Sequence, residues 1–232
     1  MWKNIVVFGL ATALCAHADF PTKEENIALA EQAFKELTEL ISSEWTNLDT
    51  EEGDLKIYEK ESPFPDLKEN VLYAKTKLKC KVAKAHALMK PYGEYRAKWD
   101  GMFDFNKVVQ NLTDKIHIYH EAIHGKLFLS ARDAVVVCKE VISDTKVIFA
   151  CHNTTSADVP ESDDYVRTSK RINGFQLEAD EKNPDVTQLK VVVGVDLNLS
   201  VGFFNSIAAK FKPTSIEKFV ENLNGAIDEY DI

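Results

Sequence analysis

From Lys23 to Ser43 the apolar residues Ile27, Ala30, Phe34, Leu37 and Ile41 recur at helical spacing. Thr22 and Glu25 stand as N-cap and third helical residue of a capping box, so an amphipathic helix is predicted over this span. After Gly53 the period falls to two. Leu55–Glu59 reads as a short strand, Ser62-Pro63-Phe64-Pro65 breaks the chain, and Asn70–Val82 alternates cleanly. Leu72, Ala74, Thr76, Leu78, Cys80 and Val82 fall on one face of that strand, and Lys75, Lys77, Lys79 and Lys81 on the other. Such a lysine comb is a solvated face that protects a sheet from aggregation.

Lys84–Asp100 reads as a helix and its exit, and Ile116–Ile123 as a strand. Asp133–Ile142 and Lys146–Thr154 form a hairpin around Asp144-Thr145. A second hairpin is predicted from Asp163–Ile172 and Phe175–Ala179, turning at Asn173-Gly174. In the final strand, Gln188–Leu199, the positions Leu189, Val191, Val193, Val195, Leu197 and Leu199 form an unbroken apolar face. Val201–Phe211 is helical and Pro213 is expected to stop it. A last helix then carries Ile216, Phe219, Val220, Leu223, Ile227 and Tyr230 on one stripe. Neighbouring strands with helices at both ends predict an antiparallel α+β domain.

The first 18 residues change the picture of where the chain acts. Lys3, the apolar run Ile5–Ala16 and the small-x-small ending Ala16-His17-Ala18 read as a secretion signal cleaved after Ala18. The expected organisation is therefore a signal peptide, 1–18, and one domain, 19–232, released outside the cell. Three sequons fit export, at Asn111, Asn153 and Asn198. Asn198 points away from the apolar face and is the better glycan site, whereas Asn153 shares the parity of Cys151 and points inward. Export also permits disulfides. The mature chain keeps Cys80, Cys138 and Cys151, so at most one bridge forms. Cys138 and Cys151 lie symmetrically about the Asp144-Thr145 turn, which sets them opposite each other. They are either bridged, leaving Cys80 free and buried, or the three are small apolar thiols facing inward.

A net charge of −9 excludes the basic footprint of a nucleic-acid binder and a firm hold on anionic membranes. A transient membrane touch remains compatible with it. Nothing suggests an obligate oligomer, so a monomer is expected. His117, His120 and His124 alternate across a strand without a carboxylate or cysteine to complete a set, so no metal is expected. No nucleophile elbow, phosphate-cradling glycine loop or His-Glu-x-x-His motif occurs, and no cofactor is expected.

Tyr95-Arg96-Ala97-Lys98-Trp99-Asp100, the Arg132-Asp133 that opens the central hairpin, Tyr165-Val166-Arg167 followed by Gly174, Val195-Asp196-Leu197 and the closing helix at Pro213 stand in one order. Over about Thr22 to Tyr230 this order resembles the START (StAR-related lipid-transfer) family. The resemblance implies a helix-grip fold: a curved antiparallel sheet wrapped around a long C-terminal helix, with a tunnel for one lipid between them. Each methylene of a lipid costs about 0.8 kcal/mol in water, which a closed apolar tunnel removes. The expected wall comprises Tyr119, Ala134, Val136, Cys138 and Phe149 from the central strands and Val193 from the last strand. Phe204, Phe219 and Leu223 come from the terminal helices. The last helix must move to admit the ligand, with Phe203, Phe204 and Phe211 touching the membrane.

In phosphatidylcholine-binding members the positions matching Arg96 and Asp100 meet the phosphate and headgroup. The same pair also reads as a helix-end ion pair, the favoured reading, since family members that bind other ligands carry the Trp-Asp pair too. The choline cage is incomplete, because Ala134 stands at an aromatic position and Tyr119 supplies one wall only. The sterol pattern is incomplete too: Cys138 stands where that group has arginine, although Glu121 matches its acid. Fatty acids, other phospholipids, sphingolipids and unpaired sterols are left as ligands. Two other classes stay open: an enzyme using Glu121, His120 and Arg167 on an apolar substrate, and a non-catalytic interaction module.

Overall fold

The computed structural model describes residues 20–125, 130–198 and 205–232, with side chains of the last segment from 213 onward. Helix α1 spans Lys23–Ser42. At its start the Thr22 hydroxyl accepts the Glu25 N–H at 3.2 Å, and the Glu25 carboxylate accepts the Thr22 N–H at 2.7 Å. The buried stripe is Asn26, Ala30, Ala33, Leu37, Leu40 and Ile41, rotated slightly from the predicted face. Buried Asn26 is satisfied: its amide donates to the Pro21 and Thr22 carbonyls and its oxygen accepts the Thr154 hydroxyl at 2.6 Å.

Among the described residues ten strands follow: β1 Leu48–Glu52, β2 Leu55–Lys60, β3 Val71–Leu78, β4 Phe103–Asn111, β5 Ile116–Ile123, β6 Arg132–Ile142, β7 Lys146–Asn153, β8 Val166–Arg167, β9 Ser169–Ala179 and β10 Thr187–Asp196. They form one sheet in the order β1-β2-β3-β10-β9-β7-β6-β5-β4, antiparallel throughout, with β8 added parallel to β6. The last strand thus closes against the third, Leu189 opposite Thr76 and Val193 opposite Leu72. The other helices are α2 Val82–Met89, α3 Arg96–Trp99 and α4 Asn205–Glu229.

Helices cover both faces of the sheet. On the outer face α1 sets Leu37, Leu40 and Ile41 against Tyr73, Ile148, Ala150, Ile172 and Val192. On the inner face α2 and α4 set Leu88, Met89, Leu223, Ala226 and Ile227 against Val136, Cys138, Phe149 and Phe175. This double cover explains why seven consecutive residues of β6, Arg132–Cys138, are buried. The α+β helix-grip architecture is that expected from the sequence.

Several local expectations are corrected. Asn173-Gly174 is no hairpin turn; β9 runs straight through it. A Cβ on Gly174 would stand 2.2 Å from the Phe149 carbonyl oxygen and 3.0 Å from Leu37 Cδ2, so glycine serves close packing of β7 and α1 on β9. Pro213 does not end a helix but lies inside α4. The cost of an interior proline, about 3 kcal/mol, is outweighed by the anchored stripe beyond it, Ile216, Val220, Leu223 and Ile227. Strand β3 ends at Leu78, so Cys80 follows it and Val82 opens α2, which shortens the lysine comb to Lys75 and Lys77. Strands β1 and β4 escape the periodicity because neither has a fully buried residue.

Candidate functional site

A pocket of about 320 Å³ lies between the inner face of the sheet and the middle of α4. Phe149, Phe175, Val191, Val193 and Val195 form its sheet wall, and Ile216 and Phe219 its helix wall. The alternation of β10 places Val191, Val193 and Val195 on this one side, and Leu197 continues the row. Met89, at the end of α2, and Phe103, at the start of β4, complete the apolar lining. The volume sits at the low end of the roughly 300–1,000 Å³ of small-molecule sites.

Charged side chains interrupt this wall, most of them in pairs. The Arg96 guanidinium holds the Asp100 carboxylate at 2.6 and 2.8 Å and donates to the Met89 carbonyl. It also stacks against Phe219, with the ring centroid 4.7 Å away. Burial works against the Arg96 charge and lowers its pKa, against the opposing pull of Asp100. Lys170 on β9 meets Glu121 on β5 at 2.6 Å. Asp133 faces a bidentate Arg167, at 2.8 and 2.9 Å, and the His120 ring at 2.8 Å. Burial pushes the Asp133 carboxyl up, but Arg167 and His120 together outweigh it and hold the group below its ordinary value. Arg132, only 6% exposed, donates to the carbonyls of Leu197 at 3.2 Å and Ser130 at 2.5 Å.

Of the residues selected from sequence, Arg96, Asp100, Glu121, Ala134, Phe149, Val193 and Phe219 line this pocket. Tyr119, Val136, Cys138 and Leu223 share the same inner face but stand outside the wall, in solid core beneath the ends of α2 and α4. Tyr119 packs between Tyr92 and Phe149, and burial raises its phenol pKa. Arg167 also lies off the wall, turned onto Asp133. Phe203 and Phe204 lie outside the described residues, as does the Phe211 side chain and the whole 1–18 segment. Cys138 and Cys151 are directly paired across β6 and β7, joined as a disulfide with Cα atoms 4.1 Å apart, and Cys80 is free and buried. Asn111 and Asn198 are exposed and Asn153 is half-buried. Among the described residues no three metal-binding side chains converge.

Arg132, Lys170, Phe175 and Ile216 are wall residues that sequence reasoning missed. For Arg132 a signal existed: it shares strand parity with Ala134 and so faces the same side. Lys170 was hidden because its partner Glu121 is 49 residues away.

The sequence matches the START domain along residues 28–224. The chain belongs to the START domain family. No curated protein matches it. Human StAR-related lipid transfer protein 5 aligns with this START domain at a TM-score of 0.81 and 17% identity, over 90% of this chain and 99% of that one. Human STARD10 aligns at 0.74 and 16%, over 86% and 80%. The lipid transfer and protein localization domain of human StarD13 aligns at 0.65 and 13%, over 85% and 95%. At these identities the likeness is one of fold.

Proposed function

We propose that this START domain is a carrier that takes up one lipid molecule in the pocket between sheet and α4, and that it is not an enzyme. The observation that carries the reading is the unfilled apolar wall of Phe149, Phe175, Val191, Val193, Ile216 and Phe219 in a chain of this family. A dry core would fill that space at crystal-like density. Two of the aligned human structures bear lipid transfer in their names, which agrees with the reading. The groups an enzyme would use are engaged: Glu121 holds Lys170, and His120 holds Asp133. The Arg96–Asp100 pair sits on the wall and supplies a polar contact for a headgroup.

In the same proposal residues 1–18 direct export and are removed after Ala18, the protein acts as a monomer, and its contact with membranes is transient. Exposed Asn198 and Asn111 are its preferred glycan acceptors. Native mass spectrometry of the protein collected from culture medium tests these points together. The expected species starts at Asp19, carries one lipid per chain released by organic solvent, and loses mass on deglycosylation. Protein that never yields a lipid and binds none when offered vesicles would end the carrier reading.

A further inference from the structure

The chain has four arginines, and all four are described. Three hold carboxylates: Arg96 holds Asp100, Arg167 holds Asp133, and Arg171 holds Glu36 and Asp66. Arg132 has no acidic partner among the described residues. The acid next to it in sequence, Asp133, is turned to Arg167 and His120. Segments 126–129 and 199–212, which flank Arg132 and its acceptor Leu197 along the chain, contain no aspartate or glutamate.

A guanidinium is a permanent cation with five N–H donors. The contacts of Arg132 are to two carbonyl oxygens, which steady the side chain without neutralising it. Yet the residue is 94% buried by its 6% exposure, and it lines the pocket. Burial lowers its pKa, and no nearby carboxylate acts in the other direction. An unpaired buried charge is strongly unfavourable, so folded proteins keep one where something else meets it. The other charges on the wall are each matched: Arg96 with Asp100, Lys170 with Glu121, Lys218 with Glu221, and Asp133 with Arg167. Arg132 therefore leaves the pocket one positive charge in excess, at the end where β6 begins and β10 finishes.

We propose that Arg132 is the anion-receiving group of the pocket, and that the ligand is an amphiphile with an acidic head, a carboxylate or a phosphate, and an apolar tail lying against Phe149, Val193 and Phe219. This rests on the lipid-carrier reading and narrows it. The planar fork of a guanidinium fits either oxyanion with two parallel hydrogen bonds. The small volume of the pocket favours a single-chain ligand.

The test uses cis-parinaric acid and the alcohol of the same chain as fluorescent probes on the full secreted protein. The wild-type protein is expected to bind the acid about tenfold or more tightly than the alcohol. Arg132→Met is expected to abolish that preference by weakening the acid alone, and Arg132→Lys to keep part of it. Displacement of parinaric acid by lysophosphatidic acid, and not by lysophosphatidylcholine, would mark phosphate as the preferred head; displacement by oleic acid alone would mark carboxylate. Equal binding of acid and alcohol by the wild type overturns the proposal, whatever the variants do. So does an Arg132→Met protein that weakens for both probes alike. If the wild type binds the alcohol well without preference for the acid, Arg132 loses its assignment while the carrier reading stands; if it binds neither probe and holds no lipid, the carrier reading itself fails.

Discussion

Asp133 is buried and charged at once, because Arg167 grips both its oxygens and His120 adds a third bond. Removing its charge leaves Arg167 without its acid, so Asp133→Asn is expected to cost about 3 kcal/mol in chemical denaturation. Its pH dependence has a definite sign. Asp133 and Glu36, which Arg171 holds, both have folded pKa values below their ordinary 3.8 and 4.5. The unfolded chain takes up protons first on acidification. Their stabilisation is therefore complete above those ordinary values and is lost as pH falls through the folded ones. Denaturation curves from pH 6 down to about pH 3 should fall less steeply for Asp133→Asn than for the wild type. At Cys80 burial pushes the thiol up to about 11, which leaves almost no thiolate at neutral pH. In the chain from residue 19 onward, a thiol reagent without reductant should find none in the folded protein and one after unfolding, since Cys138 and Cys151 are bridged. A count of three after unfolding would remove the bridge.

At the scale of elements, β9 shows how tertiary packing overrides a local turn signal. Its Gly174 sits opposite Ala150 on β7 and Val192 on β10. A methyl group there meets the backbone of β7, which cannot rotate away. Gly174→Ala is expected to destabilise the domain by about 3 kcal/mol or more, read by thermal or urea unfolding. The same residue explains what was legible in the sequence. Strand β3 was visible over Ala74–Leu78 because buried Ala74, Thr76 and Leu78 alternate with exposed Lys75 and Lys77. Asn173-Gly174 misled because a dipeptide reports local preference, while this glycine answers to a strand and a helix distant in sequence. Strand β4 was invisible because it is an edge with no fully buried residue. The polar part of the site was half legible: Arg96 and Asp100 lie one helical turn apart, whereas Glu121–Lys170 and Asp133–Arg167 meet only once the sheet order is known.

At the scale of the whole molecule, one inner face serves two purposes. Toward the C-terminal end of α4 it is packed solid, with Val136 and Leu223 fully buried among Leu88, Ala226 and Ile227. Toward the middle of α4 the same sheet leaves a pocket, with Val193 on its wall. A core and a pocket respond oppositely to added volume. Two extra-large side chains therefore distinguish them. Val136→Phe must displace packed neighbours and is expected to cost about 2–3 kcal/mol. Val193→Phe enters free space and gains apolar contact, so its stability should stay within about 1 kcal/mol of the wild type. Its lipid binding should fall at least tenfold, because the ring takes the volume the acyl chain needs. The decisive measurement is the pair of readouts on one variant, urea unfolding beside fluorescent-lipid titration. If Val193→Phe destabilises as strongly as Val136→Phe, the wall at β10 is ordinary core. If it is stable and binds lipid unchanged, the ligand lies elsewhere.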